Sequence, residues 1–507
     1  MNLKFFKNFR FLALFCFVTS LLFITACRND HSYYPPKYDI TFVALTDDNW
    51  LLTLNSDDCS RHIYRVNVTG LAAGERLTGI DYRPATGQLY GVSSFSRIYV
   101  VNAETGVARA IGTTAFTPAT NGTVVGFDFN PTVDRIRLVT NAGQNLRLNP
   151  ETGGVAATDG ALNPGTPSVS GVAYTNNKAG AATTVLYDID VSTDRLLRQD
   201  PPNAGTLVQV GSLGVNAEGA GGFDIASFDD IALAALRVGG RSGLYRIDLT
   251  SGRAQKLGEI DARFNIIGLA ISTEPVAYAV DGSNNLLIFN PLNPQPVSKT
   301  ITGLQSGENI LGLDMRPVNG QLYALGSSNR IYTINASSGA AAAVGTAAFT
   351  PALVGTSFGF DFNPMVDRIR IVSNTGQNLR AHPETGVIAA TDGALNPGSP
   401  MVSAAAYTNN FAGATTTTLY VLDGPNRKLY TQNPPNNGTL TNSVNLPFSF
   451  SGSNGFDIGS TSGKAYVLLN DEVGVKLYGL NLTTGRFTRS VSVSTSSVRG
   501  FTLGLGF

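Results

Sequence analysis

A stretch of 28 residues occurs twice in the chain, and the two copies lie 233 positions apart. Gly126–Gly153 reads GFDFNPTVDRIRLVTNAGQNLRLNPETG, and Gly359–Gly386 reads GFDFNPMVDRIRIVSNTGQNLRAHPETG, with 22 identical positions. Other motifs keep this offset, as AYTNN does at Ala173 and Ala406. The chain is therefore an internal duplication, and one half must fold into a structure that the other half repeats.

A shorter repeat of about 45 residues lies inside each half. From Ile40 onward the chain has no convincing amphipathic helix, and short apolar-alternating runs are separated by Gly, Pro and Asn. Most units open with a small residue, an apolar residue and Asp or Ala, as in Gly79–Asp81. A second strand, a third strand ending in a turn such as Asn102–Gly106, and a short fourth strand follow. Four strands in this length predict one blade of a β-propeller.

Each half contains five such units. The first half begins at Ile40 with what looks like a second strand, and Asn265–Ser272 supplies a strand of the missing opening type. The second half likewise ends in an opening-type strand, at Arg499–Phe507. We therefore predict an all-β fold of two tandem five-bladed propellers, residues 40–272 and 273–507. One ten-bladed ring is the alternative, because the junction Gly268–Tyr278 contains no linker-like sequence.

The N-terminus has the pattern of a secretion signal, with basic residues before an apolar segment at residues 11–23. Ile24–Cys27 (ITAC) resembles a bacterial lipobox, which implies cleavage before Cys27 and lipid on its thiol. We predict a signal peptide at residues 1–26, a tether at residues 27–39, and a lipid-anchored protein of the bacterial cell envelope, at the outer membrane or cell surface. The alternative is an ordinary signal peptide with Cys27 nearby by chance.

The recurrent aspartates are the candidates for catalysis. Carboxylates on inner strands could converge on the propeller axis, and a pair of carboxylates is the minimum that glycoside hydrolysis needs. Asp128 and Asp361, equivalent in the two halves, are the residues that such an enzyme would use. A residue repeated blade after blade favours a structural role instead, such as accepting backbone N–H bonds. The sequence thus favours a protein without catalytic residues.

Two arginines in each half are the candidates for binding. Arg135 and Arg137, and their equivalents Arg368 and Arg370, alternate on one face of a strand. They could recognise carboxylates or sulfates, although ion pairs between blades are the interpretation that the repeat favours.

Metal and nucleic-acid sites are not indicated. Neither His62 nor His382 is shared between the halves, which disfavours a duplicated zinc or histidine-based site. Asp281–Asn285 (DGSNN) could ligate calcium weakly, but a β-turn is the favoured interpretation, and no other cofactor is expected. Lys plus Arg and Asp plus Glu both total 36, and this balance argues against a nucleic-acid partner.

The repeated 28-residue motif, together with the TDGALNPG and AYTNN motifs that follow it, resembles the bacterial family catalogued as domain of unknown function 4394. This resemblance implies secreted or surface-attached proteins with propeller-like repeats, and no activity. We therefore expect a cell-envelope lipoprotein with a binding or scaffold role toward a protein or glycan, anchored to the membrane through Cys27. A glycan-active hydrolase or lyase that uses axial carboxylates is the alternative.

Overall fold

The strands of the computed structural model form four-stranded antiparallel sheets, each built from one repeat of about 45 residues. The structure describes residues 38–507, except for residues 220, 451, 453, 472, 473, 495 and 496. Within this part of the chain there are ten such sheets, which we number blades 1 to 10 in the chain order of their second strands. In each blade, the strand nearest the propeller axis is the inner strand.

The first five blades form ring 1. Written from the inner strand outward, they are blade 1 (Ile266–Ile271, Thr41–Thr46, Trp50–Asn55, Tyr64–Asn67), blade 2 (Leu77–Arg83, Gln88–Ser93, Ile98–Val101, Ala108–Ile111), blade 3 (Val125–Asn130, Arg135–Thr140, Asn145–Leu148, Val155–Thr158), blade 4 (Val169–Tyr174, Leu186–Asp190, Arg195–Gln199, Leu207–Ser212) and blade 5 (Gly222–Ile225, Ala232–Val238, Arg241–Ile247, Ala254–Glu259).

The other five blades form ring 2. In the same order they are blade 6 (Val498–Leu503, Ala277–Asp281, Asn285–Phe289, Val297–Thr300), blade 7 (Ile310–Met315, Leu322–Gly326, Arg330–Ile334, Ala341–Val344), blade 8 (Phe358–Asn363, Arg368–Ser373, Asn378–Ala381, Ile388–Thr391), blade 9 (Val402–Tyr407, Leu419–Asp423, Lys428–Gln432, Leu440–Asn445) and blade 10 (Gly455–Ile458, Ala465–Asp471, Gly474–Leu480, Phe487–Ser494).

Helical structure in the described residues consists of two single 3-10 turns, Pro202–Ala204 and Pro435–Asn437. Both occur at equivalent positions of the duplicated QDPPN and QNPPN motifs, and in both a glycine with positive φ ends the turn. No described helix has the length and apolar character that crossing a membrane requires.

Each ring closes by pairing its last strand with its first. Thr41–Thr46 lies antiparallel to Ile266–Ile271, with Val43 opposite Ala270. In ring 2, Ala277–Asp281 pairs with Val498–Leu503 in the same way. The inner strand of blade 5 also packs against that of blade 1, and the inner strand of blade 10 against that of blade 6. Two five-bladed rings are therefore formed, as predicted, and the ten-bladed alternative is excluded.

The turns between third and fourth strands explain the recurrent Asn-x-x-Thr-Gly sequence. The Asn102 side-chain oxygen accepts the backbone N–H groups of Glu104 and Thr105, at 2.9 and 2.8 Å. Gly106 follows at φ 72°, and an added Cβ there would lie 2.1 Å from the carbonyl oxygen of Asn67 in the preceding blade. The glycine thus supplies both the left-handed conformation and the space for the next blade.

The hydrophobic cores lie between neighbouring blades. Between blades 2 and 3, for example, Tyr90 and Val92 pack against Phe127 and Phe129, and all four are buried. The rings of Tyr90 and Phe129 meet edge to face, with centroids 5.2 Å apart. Because a four-stranded sheet this small buries little by itself, each blade depends on its neighbours for a core.

The two rings contact each other through turns that follow inner strands. The Tyr278 hydroxyl of blade 6 donates to the carbonyl oxygen of Ala85 in blade 2, at 2.9 Å. The backbone N–H of Gly506 donates to the Thr86 carbonyl at 2.8 Å. Ala85 is buried in the same apolar cluster as Val276 and Tyr278. The junction between the halves is therefore part of the packed structure.

Candidate functional site

Three inner strands of each ring carry an aspartate at the same height on the axis. In ring 1 these are Asp81, Asp128 and Asp224, and in ring 2 they are Asp314, Asp361 and Asp457. We call these the ring 1 triad and the ring 2 triad. Within each triad, one carboxylate oxygen from each residue lies within 4.8 Å of the others. All six side chains are at most 1% exposed.

The carboxylates satisfy backbone groups that face the axis. An inner strand is the edge of its sheet, so its N–H groups on the axial side have no strand partner. Asp81 accepts the N–H of its own neighbour Tyr82 at 2.7 Å and that of Phe129, on the next inner strand, at 2.9 Å. Asp224 accepts the N–H groups of Ile225 and Ile271 in the same way, each at 2.6 Å.

Asp128 completes this set with a single bond. Its Oδ1 accepts the N–H of Tyr174 at 3.1 Å, while its Oδ2 is buried and has no hydrogen-bond partner among the described residues. The other two inner strands have Ala173 and Ala270 at the aspartate position. Three carboxylates therefore serve five inner strands, and five of their six oxygens are engaged by backbone N–H groups.

The ring 2 triad repeats this arrangement. The residues that follow the five equivalent positions donate their backbone N–H groups to the carboxylates at 2.6–2.9 Å, namely Met315, Phe362, Tyr407, Ile458 and Leu503. One position differs, because Thr502 stands where ring 1 has Ala270. The Thr502 hydroxyl lies 3.0 Å from both Asp314 and Asp457.

Burial makes ionisation of the triads unfavourable. It raises the pKa of Asp224 to about 7 and that of Asp457 to about 6. The pKa values of the other four carboxyls lie well above the ordinary range, first because of burial and then because neighbouring aspartates repel, as Asp224 does Asp81. Three buried carboxylates this close together cannot all be charged unless a cation binds among them. Without a cation, some of them must be protonated.

A narrow opening that we call the axial funnel lies on the axis near the ring 1 triad, and its cavity volume is about 10 Å³. Glycines from all five inner strands line it: Gly79, Gly126, Gly171, Gly222 and Gly268. An added Cβ at Gly222 would lie 2.1 Å from the backbone nitrogen of Leu269. Glycine thus lets the inner strands approach closely enough for the aspartates to bridge them. Ring 2 has an equivalent opening, again with a cavity volume of about 10 Å³.

Asn177 lies beside the ring 1 triad. Its Nδ2 is 3.4 Å from Oδ1 of Asp224, and its Oδ1 has no hydrogen-bond partner among the described residues. The residue is 1% exposed. It belongs to the AYTNN motif, which recurs with Asn410 in ring 2, where Oδ1 is again buried without a partner. The sequence shows that this motif recurs, but only the structure shows that Asn177 lies close to Asp224.

The comparisons with known proteins identify the repeated unit. A family model described as "Domain of unknown function (DUF4394)" matches residues 50–270 and again residues 285–502. The chain belongs to the DUF4394 family. The two matches confirm the tandem duplication, and each DUF4394 copy corresponds to one ring. No curated protein matches the chain.

Solved structures give weaker likenesses. A crystal structure of a nidogen/laminin complex is 13% identical, covers 62% of this chain and 96% of its own, and has a TM-score of 0.29. A crystal structure of a protein from Lactobacillus plantarum is 16% identical, covers 66% of this chain and 98% of its own, and has a TM-score of 0.28. The propeller fold of these DUF4394 copies therefore rests on their strand pairing.

Of the candidate binding arginines, Arg137 is buried and fully engaged. It donates to Asp159 at 2.7 Å and to Asn145 at 2.6 Å, and it reaches Asn203 and the Tyr174 hydroxyl of blade 4 at 2.9 and 3.3 Å. The ion pair with Asp159 stays within the repeat of blade 3, whereas the contacts with blade 4 are hydrogen bonds. In the second DUF4394 copy, Arg370 makes the same four kinds of contact.

The other two arginines are less constrained. The Arg135 side chain is 28% exposed, and its Nη1 lies 3.9 Å from Glu151. Arg135 donates to the backbone carbonyl of Asp134, and Arg368 donates to that of Asp367. Each copy thus has one buried arginine within the strand and one partly exposed arginine at its first position.

The ion pair that links neighbouring blades involves an arginine that the sequence did not single out. Arg83 of blade 2 donates to Asp134 of blade 3 at 2.8 Å and also contacts Glu151. Its Nη1 reaches the carbonyl oxygen of Gly320 in the second DUF4394 copy at 3.3 Å. The sequence feature that could have revealed this cluster is the recurrence of its three charged residues in the second half, as Arg316, Asp367 and Glu384.

Two further predictions concern other parts of the chain. The signal peptide, Cys27 and the tether up to residue 37 lie outside the described residues. Asp281–Asn285 forms a hairpin turn in which the Asp281 carboxylate accepts the N–H groups of Ser283 and Asn285, each at 2.8 Å. Its other oxygen accepts the Asn285 side-chain amide at 2.9 Å. This carboxylate is thus committed to its own turn.

Proposed function

We infer that this DUF4394 protein is a lipid-anchored component of the bacterial cell envelope whose propellers bind a protein or glycan partner without catalysis. The supporting geometry begins at the axis. The catalytic alternative would use Asp128 or Asp361, yet both side chains are at most 1% exposed and each accepts a backbone N–H of the next blade. A glycan substrate would have to displace these structural bonds to reach them.

The observation that carries the binding role is a difference between the rings. Three consecutive blades of ring 2 present Val318, Met365 and Phe411 on the turns after their inner strands, and these residues are 44%, 48% and 43% exposed. Large apolar side chains grouped at one end of a propeller are characteristic of contact surfaces. We call these three residues the ring 2 turn patch.

Ring 1 has different residues at the equivalent positions, namely Ala85, Thr132 and Lys178. Duplication began with the same turns in both halves, so these three apolar residues are specific to ring 2, whereas ring 1 exposes Val133 and Phe228 on its own turns of this kind. The patch also borders the contact between the rings, since Gly413, two residues after Phe411, lies against Arg109 of ring 1. Aliphatic side chains such as Val318 and Met365 favour a protein surface, because they offer no ring for stacking on a sugar.

The test transfers the ring 1 residues to ring 2. The triple variant Val318→Ala, Met365→Thr, Phe411→Lys should keep its melting temperature, because the replaced side chains are exposed. It should lose the partner that the full-length protein recovers from envelope extract or on a glycan array. Phe95→Lys is the control, since Phe95 is 47% exposed on a turn at the opposite end of blade 2.

Three results separate the parts of this proposal. Recovery of no partner by the unmodified protein would contradict the binding role, and equal recovery by the triple variant would contradict the patch. The anchor is tested separately, by Cys27→Ala: the variant should no longer incorporate labelled fatty acid. Unchanged incorporation would overturn the lipoprotein proposal and leave the binding role intact.

A further inference from the structure

The ring 1 triad has one more oxygen than the backbone requires. Asp81 and Asp224 each use both oxygens for N–H groups, whereas Asp128 uses one. Its Oδ2 is buried, without a hydrogen-bond partner among the described residues, and belongs to a residue whose carboxylate lies within 4.8 Å of two others. A buried carboxylate oxygen left in this state calls for a partner that the protein itself does not supply.

A second polar group without a full set of hydrogen bonds, the side-chain amide of Asn177, lies beside the ring 1 triad. The Asn177 side chain is 1% exposed and touches Asp224 through its amide, while its carbonyl oxygen has no partner among the described residues. Carboxylate and amide oxygens together are the ligand set of hard cations. Three of the glycines that line the axial funnel stand two residues before the triad positions on the same inner strands, so the funnel and the triad share one axis.

We propose that the ring 1 triad, Asp81, Asp128 and Asp224, binds one Ca²⁺ ion on the propeller axis, with Asn177 as a further oxygen ligand. Ca²⁺–oxygen bonds are about 2.3–2.6 Å, so two oxygens bound to one ion can be as far apart as about 5 Å. The observed separation of up to 4.8 Å falls within that limit. Mg²⁺ requires near-octahedral geometry and usually keeps several waters, so a buried set of protein oxygens favours Ca²⁺.

The ion would also resolve the charge of the site. Three carboxylates in a buried position repel one another, and two positive charges at their centre offset most of that repulsion. The oxygens already bonded to N–H groups keep a free lone pair, because a carboxylate has about four acceptor sites. The ion therefore adds to the structural bonds of the ring without replacing them.

Ring 2 provides an internal comparison. There, the Thr502 hydroxyl contacts both Asp314 and Asp457 at 3.0 Å, although a hydroxyl has a single hydrogen to donate. Thr502 therefore supplies ring 2 with a hydroxyl donor between two carboxylates of its triad. Ala270 leaves ring 1 without such a hydroxyl, and we assign the cation to ring 1 alone.

The experiment measures calcium bound to the purified full-length protein after treatment with EDTA and dialysis against CaCl₂. We expect about one Ca²⁺ per chain and a higher melting temperature with Ca²⁺ than with Mg²⁺. Asp128→Asn keeps an oxygen for the Tyr174 N–H but removes the charge, and it should weaken Ca²⁺ binding by at least about tenfold. Asp361→Asn, its equivalent in ring 2, should bind Ca²⁺ like the unmodified protein.

A second variant tests the site without altering an aspartate. Ala270→Thr places the ring 2 hydroxyl in ring 1 and should also weaken Ca²⁺ binding, which keeps the test decisive if Asp128→Asn does not fold. Absence of bound calcium in the unmodified protein, or calcium binding that survives both ring 1 variants, would overturn the proposal. Loss of calcium in Asp361→Asn would overturn the assignment to ring 1.

Discussion

Replacing Asp188 with valine should stabilise ring 1. Asp188 lies on the second strand of blade 4, between Val172 and Leu197 on the neighbouring strands. It is fully buried, and neither of its carboxylate oxygens has a hydrogen-bond partner among the described residues. Ring 2 has Val421 at the equivalent position, inside an apolar cluster that includes Leu419. The second half of the chain thus already contains the proposed substitution.

The magnitude follows from the pKa of the carboxyl. Burial raises the pKa of Asp188 from 3.8 to about 8, although the charge of Arg137 opposes this shift. Because the pKa is higher in the folded state, folding takes up a proton, and stability falls as pH rises from about 4 to about 8. At about 1.4 kcal/mol per pH unit, the cost is roughly 2 kcal/mol at pH 5 and roughly 4 kcal/mol at pH 7.

The assay uses the single tryptophan of the chain as a reporter of ring 1. Trp50 lies on the third strand of blade 1, so its fluorescence in a denaturant titration follows the unfolding of that ring. For Asp188→Val we expect a higher transition midpoint than for the unmodified protein, with a gain that is larger at pH 7 than at pH 5. Val421→Asp is the reciprocal control and should destabilise ring 2 as pH rises, which is followed by far-UV circular dichroism because Trp50 reports ring 1.

Two outcomes would refute the reasoning. A gain in stability that does not change between pH 5 and pH 7 would mean that the carboxyl is not protonated on folding. A loss of stability in Asp188→Val would mean that Asp188 has a favourable interaction that the apolar surroundings do not reveal.

Two other predictions concern packing around the axis and between blades. Gly222→Ala should lower the free energy of unfolding by about 3 kcal/mol or more, because the new Cβ would overlap the backbone of Leu269. Gly154→Ala is the control and should change the melting temperature little, since its Cβ would have a single contact, at 3.5 Å. Equal effects of the two variants would contradict the close approach of the strands at the axis. Arg137→Lys should cost about 2 kcal/mol in thermal or denaturant unfolding, since lysine cannot keep the bonds to both blades, while Arg135→Lys should cost under about 0.5 kcal/mol. Similar losses in both lysine variants would argue against the role of the buried arginine.

The ring architecture was predictable because it depends on the order of strands along the chain. The early second strand near Ile40 and the late inner strand at Asn265–Ser272 together required a closure of this kind. The choice between two rings and one was harder. It depended on whether Ile266–Ile271 returns to Thr41–Thr46 or continues toward Ala277, and the local sequence is compatible with both pairings.

The axial aspartates illustrate what the sequence could not provide. Their recurrence indicated a structural role, but the number of bonds depends on strands that are 46–48 residues apart in sequence. The same pattern that shows Asp81 in one blade shows Ala270 in another, and only the geometry explains why a blade without an aspartate still has its N–H group satisfied. Asp128 has an oxygen without a partner because three carboxylates offer six oxygens to five backbone N–H groups.

The charged residues between blades were missed for a related reason. Arg83 contacts Asp134 and Glu151, which are 51 and 68 residues away, and it also contacts the other ring. Each member was conserved between the halves at the duplicated positions, so the repeat contained the information. The three residues could not be connected beforehand, because no local pattern pairs residues near a turn of one blade with those of the next.

The closing strands also determine the order in which the rings can fold during synthesis. Blade 1 cannot be completed until Ile266–Ile271 has been made, more than 200 residues after its partner Thr41–Thr46. Contacts of such long range slow folding, because the chain loses the entropy of a large loop before it gains the pairing. Ring 1 should therefore remain open until its last strand is available, and ring 2 should repeat this delay until Val498–Leu503 is synthesised.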